Sequence, residues 1–408
     1  LGGVGTGNVS LGARGDLRDW EIFNHPDKGM TLPNTFFAIR TQAEGETAIT
    51  KVLEGPIQPP HTLSHGYHPA TNAGLPRMQS SAFHGEYPLA AIRFEDPDLP
   101  VQVSLEAWTP FVPLDPEESG IPCAIFAYTI TNTTDRPVAL SLVGSLTNPV
   151  GGVGRDRFGN LGAGGAGKNR NEFRDESALR GLFMQSEQLQ PNERDYGDVS
   201  LTTTHPDVTY KRAWLRGGWY DYLREFWNDF SADGKLDDLG YDTPSEPGKT
   251  DTGSLALNDT LEPGASTTYR FVLTWSFPTR PRSWNKESEQ LTRNHYARRF
   301  ADSWAVATYL SEQLPRLEAE TRRFHAALFG TTLPASIVDA VSANIVDVRS
   351  TTCFWLEDGG FYGYEGCFDD AGCCDGTCTH VWSYAQTVAF LFPSLEREMR
   401  RIEFVVET

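Results

Sequence analysis

The chain has 408 residues, with 54 acidic against 35 basic side chains and a formal net charge of −19. That excess repels phosphate backbones and excludes nucleic acid as a partner, and no apolar run reaches the ~18–20 residues of a membrane span, which excludes a transmembrane segment. With 23 Phe, 14 Tyr and 10 Trp the chain can build real cores, and its length predicts two domains rather than one.

The chain opens at Leu1 in a Gly-rich run and closes within a helical pattern, which reads as a piece of a longer protein. No secretory leader is visible, and of the compartments the cytoplasm is favoured. The glycines at 2–7 suggest a phosphate loop, but that reading fails. No G-K-[ST] ending is present, no helical pattern follows, and G-x-G-x-x-G is out of register. Tight turns between short strands are expected instead. Asp16, Arg18, Asp19 and Glu21 alternate with Leu17 and Trp20, either as a solvated strand edge or as a loop reaching a neighbouring domain's cleft.

From about Thr35 to Phe277 the pattern is β. The segments 35–40, 90–94, 101–108, 124–131, 138–145, 199–204 and 269–275 are short and β-branched or aromatic, and most alternate. Asn132 to Asp135, before Arg136-Pro137, predicts a hairpin turn. Many strands without an intervening long helix predict an antiparallel β-sandwich. Cys123 stands alone in an apolar stretch as a core residue. Two loops stand out. Residues 151–167 carry eight glycines and read as a flexible surface insertion. Residues 214–230 are dense in aromatics. Packing against a second domain is favoured there over a wall that stacks sugar rings.

Past Pro281 the period changes. From Ser283 a helical connector is expected. Phe300, Trp304, Ala307, Leu310, Leu314, Leu317, Phe324 and Leu328 mark its apolar face. Pro315 should kink or split it, and His325 is a surface or satisfied histidine. A second helix covers about 335–348. A short hairpin then turns at Glu357–Gly360 and returns through 361–364. From Thr379 a helical stripe runs through Val381, Ala385, Val388, Phe392, Leu395, Met399, Ile402 and Val406, with Pro393 kinking it or starting a new helix.

The chemistry concentrates in 353–382, which holds five of the six cysteines. Glu365 follows Tyr362, Gly363 and Tyr364 and precedes Gly366. A carboxylate between aromatics at a strand end can be partly desolvated, and glycine lets a substrate approach. Glycoside hydrolysis needs two carboxylates, and Glu365 suits either role. An ordinary loop glutamate is the competing reading. Cys367, Cys373, Cys374 and Cys378 leave three states open: local disulfides, zinc with His380, or free thiols. A Cys378–His380 nucleophilic pair and calcium at Asp369, Asp370 and Asp375 rank lower. His380 and Trp382 sit where the loop enters a helix, where a histidine can hydrogen-bond a sugar hydroxyl.

The stretches GGVGTGNVSLGARGDLRDWEIFN, HGEYPLAAIRF, WYDYLREFWNDF and THVWSYAQTVAFLFPSLEREMR resemble glycoside hydrolase family 116, which includes non-lysosomal glucosylceramidase and microbial β-glucosidases. The resemblance implies a β-sandwich followed by an (α/α)6 barrel. It also implies retaining hydrolysis of β-glycosides by an Asp/Glu pair, a carbohydrate or glycolipid substrate, and no cofactor or metal. On that basis 1–280 is the sandwich, 281–330 the connector and 331–408 the start of a truncated catalytic barrel. Tyr364-Glu365-Gly366 matches the family's L-E-G nucleophile stretch, with Tyr for Leu. Where relatives carry Y-D-V-H, whose Asp binds sugar, this chain has Thr379-His380-Val381-Trp382 after a Cys-rich insertion. Thr379, His380 and Trp382 thus become the expected sugar contacts. The family's acid/base Asp falls beyond Thr408. The contrasting reading is a non-catalytic carbohydrate-binding or scaffold protein.

Overall fold

The computed structural model describes the chain except residues 60–70, 153, 156–160, 163–166, 220, 283–289, 367, 373–384 and 407–408, and the side chains of 154–155, 161–162 and 385. Most of the glycine-rich 151–167 segment therefore lies outside the described residues.

Two antiparallel sheets face each other. The larger has eight strands in the order Asn169–Glu176, Leu179–Ser186, Asp198–Thr203, Ser266–Ser276, Cys123–Asn132, Val101–Trp108, Leu89–Glu95 and Ser80–Glu86. The smaller has five: Val208–Lys211, Thr252–Leu261, Val138–Thr147, Phe36–Ala43 and Ile49–Val52. Alternation sorts the side chains. Phe126, Tyr128 and Ile130 from the larger sheet meet Phe37, Ile39, Leu140, Leu142, Leu255 and Leu257 from the smaller in one buried core. Phe37 sits at its centre, with ring centroids 5.1, 5.4 and 5.2 Å from those of Phe126, Tyr128 and Phe271.

The turn at 132–137 does not close a hairpin. Strand Cys123–Asn132 pairs with Val101–Trp108 and Ser266–Ser276 in one sheet, whereas Val138–Thr147 pairs with Phe36–Ala43 and Thr252–Leu261 in the other. The chain crosses between sheets here, and the buried Asn132 holds the crossing. Its Nδ2 donates to Arg136 O at 2.8 Å and Leu261 O at 2.9 Å, and its Oδ1 accepts from Thr134 N at 2.9 Å.

Each sheet's outer face is covered by a helix. Helix Asp221–Asp233 lies on the smaller sheet, with Phe226 and Phe230 packed among Trp214, Phe36, Ala38, Val143 and Ala256. Trp214, Phe226 and Phe230 of the aromatic stretch thus pack on the sandwich itself, while Trp219 stays exposed. Fully buried Lys211 anchors this helix through Glu225 at 2.7 Å and Asp229 at 3.1 Å, one helical turn apart.

The long helix is Ser303–Phe329, starting well after Ser283. Its start is fixed by Asp302, whose side chain accepts from Ala305 N at 2.7 Å. Ahead of it, Leu291–Arg293 pairs with Thr279–Pro281 as strands, so the expected helix is replaced there. Pro315 lies inside one continuous helix and does not split it. Buried Trp304, Val306, Ala307, Leu310 and Leu317 form the packed face. Ser303 locks onto the larger sheet: its N donates to Asp198 Oδ1 at 2.6 Å and its O accepts from Thr274 Oγ1 at 2.8 Å. Cys123 is buried in the same layer.

Helices Ala335–Ile345, Ala385–Leu391 and Pro393–Arg401 follow, and Pro393 begins the last of them. By themselves these do not form a barrel.

Candidate active site

The strands Cys353–Trp355 and Phe361–Gly363 pair as Cys353 with Gly363, Phe354 with Tyr362 and Trp355 with Phe361. The turn between them is the expected one. Gly359 has φ 93°, and Gly360 N donates to Asp358 Oδ1 at 2.9 Å. Both faces of this ribbon are buried. Cys353, Trp355 and Phe361 join Val4, Phe111, Ile345, Val388, Phe392, Leu395 and Met399. Phe354, Leu356, Tyr362 and Tyr364 cluster with Ile402 on the other side.

Glu365 comes directly after this ribbon. Tyr364 N donates to Thr352 O at 2.8 Å, which extends the pairing by one step. Tyr364 is buried, Glu365 half-buried and Gly366 exposed, so the carboxylate stands where the ribbon emerges. A Cβ on Gly366 would lie 2.7 Å from Thr352 Cγ2, so a larger residue there would push the Thr352 side chain aside. Glu357 and Asp358 serve the turn. Asp369 and Asp370 are exposed loop acids, and Asp369 O accepts from Lys28 N at 2.8 Å.

That contact ties the N-terminal segment to the Glu365 loop. Strands Asn8–Leu11 and Leu17–Glu21 form the expected tight-turned pair. Glu21 is buried, so it is no solvated edge. It accepts from Asn8 Nδ2 at 3.0 Å and pairs with Lys28 at 2.9 Å. The glycine run passes beneath the ribbon: Gly5 has φ +71°, and a Cβ there would lie 2.6 Å from Trp355 Cβ.

Three basic side chains support the ribbon. Arg280 is buried with its guanidinium 3.3 Å from the Phe354 ring centroid. Desolvation lowers its pKa to about 9. Arg349 is buried between the Tyr87 and Phe111 rings, and its Nη2 donates to Thr109 O at 3.2 Å and Pro110 O at 2.9 Å. Among the described residues neither arginine forms an ion pair. His295 stacks on Trp355 at 3.7 Å between centroids, 5° from parallel. Its Nε2 meets Glu117 Oε1 at 2.7 Å, a hydrogen bond that holds the Glu117 carboxyl below its usual range. A cavity of about 480 Å³ opens at this junction, lined by Lys28, Tyr87, Asp347, Arg349 and Ser350 among others, but not by Glu365.

Thr379, His380 and Trp382 lie outside the described residues, as do Cys367, Cys373, Cys374, Cys378 and Asp375. Cys353 is described: burial raises its thiol to about 12, which makes it a core group and not a nucleophile. Among the described residues no three His, Cys, Asp or Glu side chains converge as metal ligands. The sequence reading missed Arg280, Arg349, His295 and Lys28, whose partners are distant in the chain.

The family profile described as "beta-glucosidase 2, glycosyl-hydrolase family 116 N-term" matches residues 1–317. The chain belongs to glycosyl-hydrolase family 116. Solved structures with similarity to this family 116 chain include a putative kojibiose phosphorylase from the human microbiome, at 11% identity and TM-score 0.34, covering 76% of this chain and 31% of that one. Another is the family GH92 alpha-mannosidase from Bacteroides thetaiotaomicron, at 9% identity and TM-score 0.33, covering 89% and 42%. A GH36 alpha-galactosidase from Geobacillus stearothermophilus gives 8% identity and TM-score 0.25, covering 59% and 30%. The chain spans less than half the length of each.

Proposed function

We propose that this chain is the N-terminal portion of a retaining β-glycosidase acting on β-glucosides or related β-glycosides, with Glu365 as nucleophile. The observation that carries the reading is the placement of Glu365: half-buried, between buried Tyr364 and exposed Gly366, at the mouth of a ribbon packed on both faces. Family membership supports the reaction class. In a retaining mechanism the nucleophile attacks the anomeric carbon while a second carboxyl group, ~5–5.5 Å away, protonates the leaving oxygen. That second group is supplied from outside residues 1–408, in a helical domain that continues the terminal helices. Thr379, His380 and Trp382 would then contact the sugar.

The test is made in the full-length enzyme with an aryl β-glucoside, an aryl β-xyloside and glucosylceramide as alternative substrates. Glu365→Gln abolishes turnover, azide restores it to Glu365→Gly, and a fluoro-glycoside inactivator labels Glu365. Wild-type turnover in Glu365→Gln sinks the assignment. Turnover by residues 1–408 alone sinks the external acid/base.

A further inference from the structure

Trp219 is 90% exposed, at a position with φ 55° that non-glycine residues seldom adopt. Gly217 and Gly218 lead into it, and helix Asp221–Asp233 starts just after it. Its neighbours Trp214, Phe226 and Phe230 are all buried beneath that helix. Among the described residues the Trp219 ring has no partner. A tryptophan presented this way contributes nothing to the sandwich core, which points to a ligand.

A cleft of about 400 Å³ is lined by Gly217 and Tyr222, the residues that flank Trp219 in the sequence, though not by Trp219 itself. That volume is within the ~300–1,000 Å³ of small-molecule sites. Trp214 lines it and is held in place by its Nε1 donating to Ser254 Oγ at 2.8 Å. Arg216 grips Asp251 in a fork, Nε to Oδ1 at 2.9 Å and Nη2 to Oδ2 at 2.7 Å. Arg216 Nη2 also donates to Thr243 O at 2.8 Å, which fixes the fork. The two charges cancel, so the wall offers oriented polar groups without a net field. Aromatic faces beside fixed polar groups suit a ligand with apolar C–H faces and neutral hydroxyls.

We propose that the cleft flanked by Gly217 and Tyr222, with Trp219 as its stacking platform, is a second saccharide-binding site that takes a neutral pyranoside chain. It lies on the outer face of the smaller sheet, whereas the long helix that packs against the ribbon's Phe111 layer covers the larger sheet. The site binds carbohydrate without cleaving it, and it does not depend on the role of Glu365.

The test is calorimetry and saturation-transfer NMR on the full-length protein, with cellotetraose as probe and tetragalacturonate as its charged counterpart. Cellotetraose is expected to bind and tetragalacturonate to bind more weakly. Trp219→Ala should weaken cellotetraose by about tenfold, the scale of one lost aromatic stack. Trp219→Phe should largely restore binding, and Glu365→Gln should leave the affinity of this site unchanged. Trp219 is 90% exposed and has no ring partner among the described residues, so its replacement should leave the fold intact. The proposal is overturned by no cellotetraose binding, by unchanged affinity in Trp219→Ala, by preference for tetragalacturonate, or by binding lost in Glu365→Gln alone. The last outcome would place the saccharide at the ribbon. An inactive Glu365 assignment with Trp219-dependent binding leaves this site standing.

Discussion

The sandwich and the ribbon junction handle buried charge in opposite ways. In the sandwich carboxylate pairing prevails: Lys211 with Glu225 and Asp229, Arg212 with Asp238, Arg216 with Asp251, while buried Arg40 donates to Ser231 O and Ala232 O. At the junction, Arg280 and Arg349 meet aromatic faces and carbonyl oxygens, and His295 lies flat on Trp355 while bonding Glu117. Carboxylate pairing neutralises a cation, whereas ring stacking leaves its field in place. The junction therefore rests two buried guanidinium groups on rings and carbonyl oxygens, where the sandwich relies mainly on carboxylates. A support region can be optimised for stability, and a region next to chemistry retains groups that stability alone would not select.

The contrast can be broken in order of expected size. Phe37→Ala removes the ring at the sandwich centre and should cost ~3–5 kcal/mol, read as a lower urea midpoint at unchanged m-value. A loss under 1 kcal/mol would mean that the two sheets are not a single packed core.

Asp198 gives the next effect. Burial pushes its carboxyl up to about 7 from the ordinary 3.8 of an aspartate. The folded state then holds a proton through a window in which the unfolded chain has released it. Stability contributed by this group is complete below about pH 4, declines as pH rises to about 7, and is level above that. At ~1.4 kcal/mol per unit the ceiling is ~4 kcal/mol. Asp198→Asn should flatten this slope in melting temperatures taken from pH 4 to 8. An unchanged slope would show that Asp198 is ionised throughout.

Gly5→Ala puts a Cβ against Trp355 at a positive φ and should cost ~1–3 kcal/mol. Its loss should appear first in the near-ultraviolet signal of the junction. Loss spread evenly over both regions would mean that they unfold together. The smallest effect is His295→Gln, at ~0.5–1.5 kcal/mol for one aromatic pair. If thermal stability is unaffected, the stack on Trp355 contributes no stability.

Legibility in the sequence follows the same division. Val101–Trp108 was readable to the residue, because its alternation reflects one buried face. Ser80–Glu86 and Asn169–Glu176 were missed. They are edge strands of the larger sheet, and charged or polar side chains on both faces hide their period. The pairing of Asn132 across sheets was also invisible, since turn residues report a bend and not which strand receives the chain. Glu365 was picked out by its aromatic neighbours and by a three-residue family motif. Nothing local marked Arg280 or His295, because their stacking partners Phe354 and Trp355 lie on a distant stretch. For Thr379, His380 and Trp382 the sequence reading stands alone.

The crossing at 132–137 has a consequence for how the protein is made. Strand Phe36–Ala43 leaves the ribosome early, yet its partner Val138–Thr147 follows only about 100 residues later, ~5–20 s of synthesis at ordinary rates. Until then that strand can pair only with Ile49–Val52, and its other edge stays open. The smaller sheet cannot be completed until Thr252–Leu261 arrives, after most strands of the larger sheet have been made. Nascent-chain protection, rather than final stability, is therefore the step at which this sandwich is most exposed to failure.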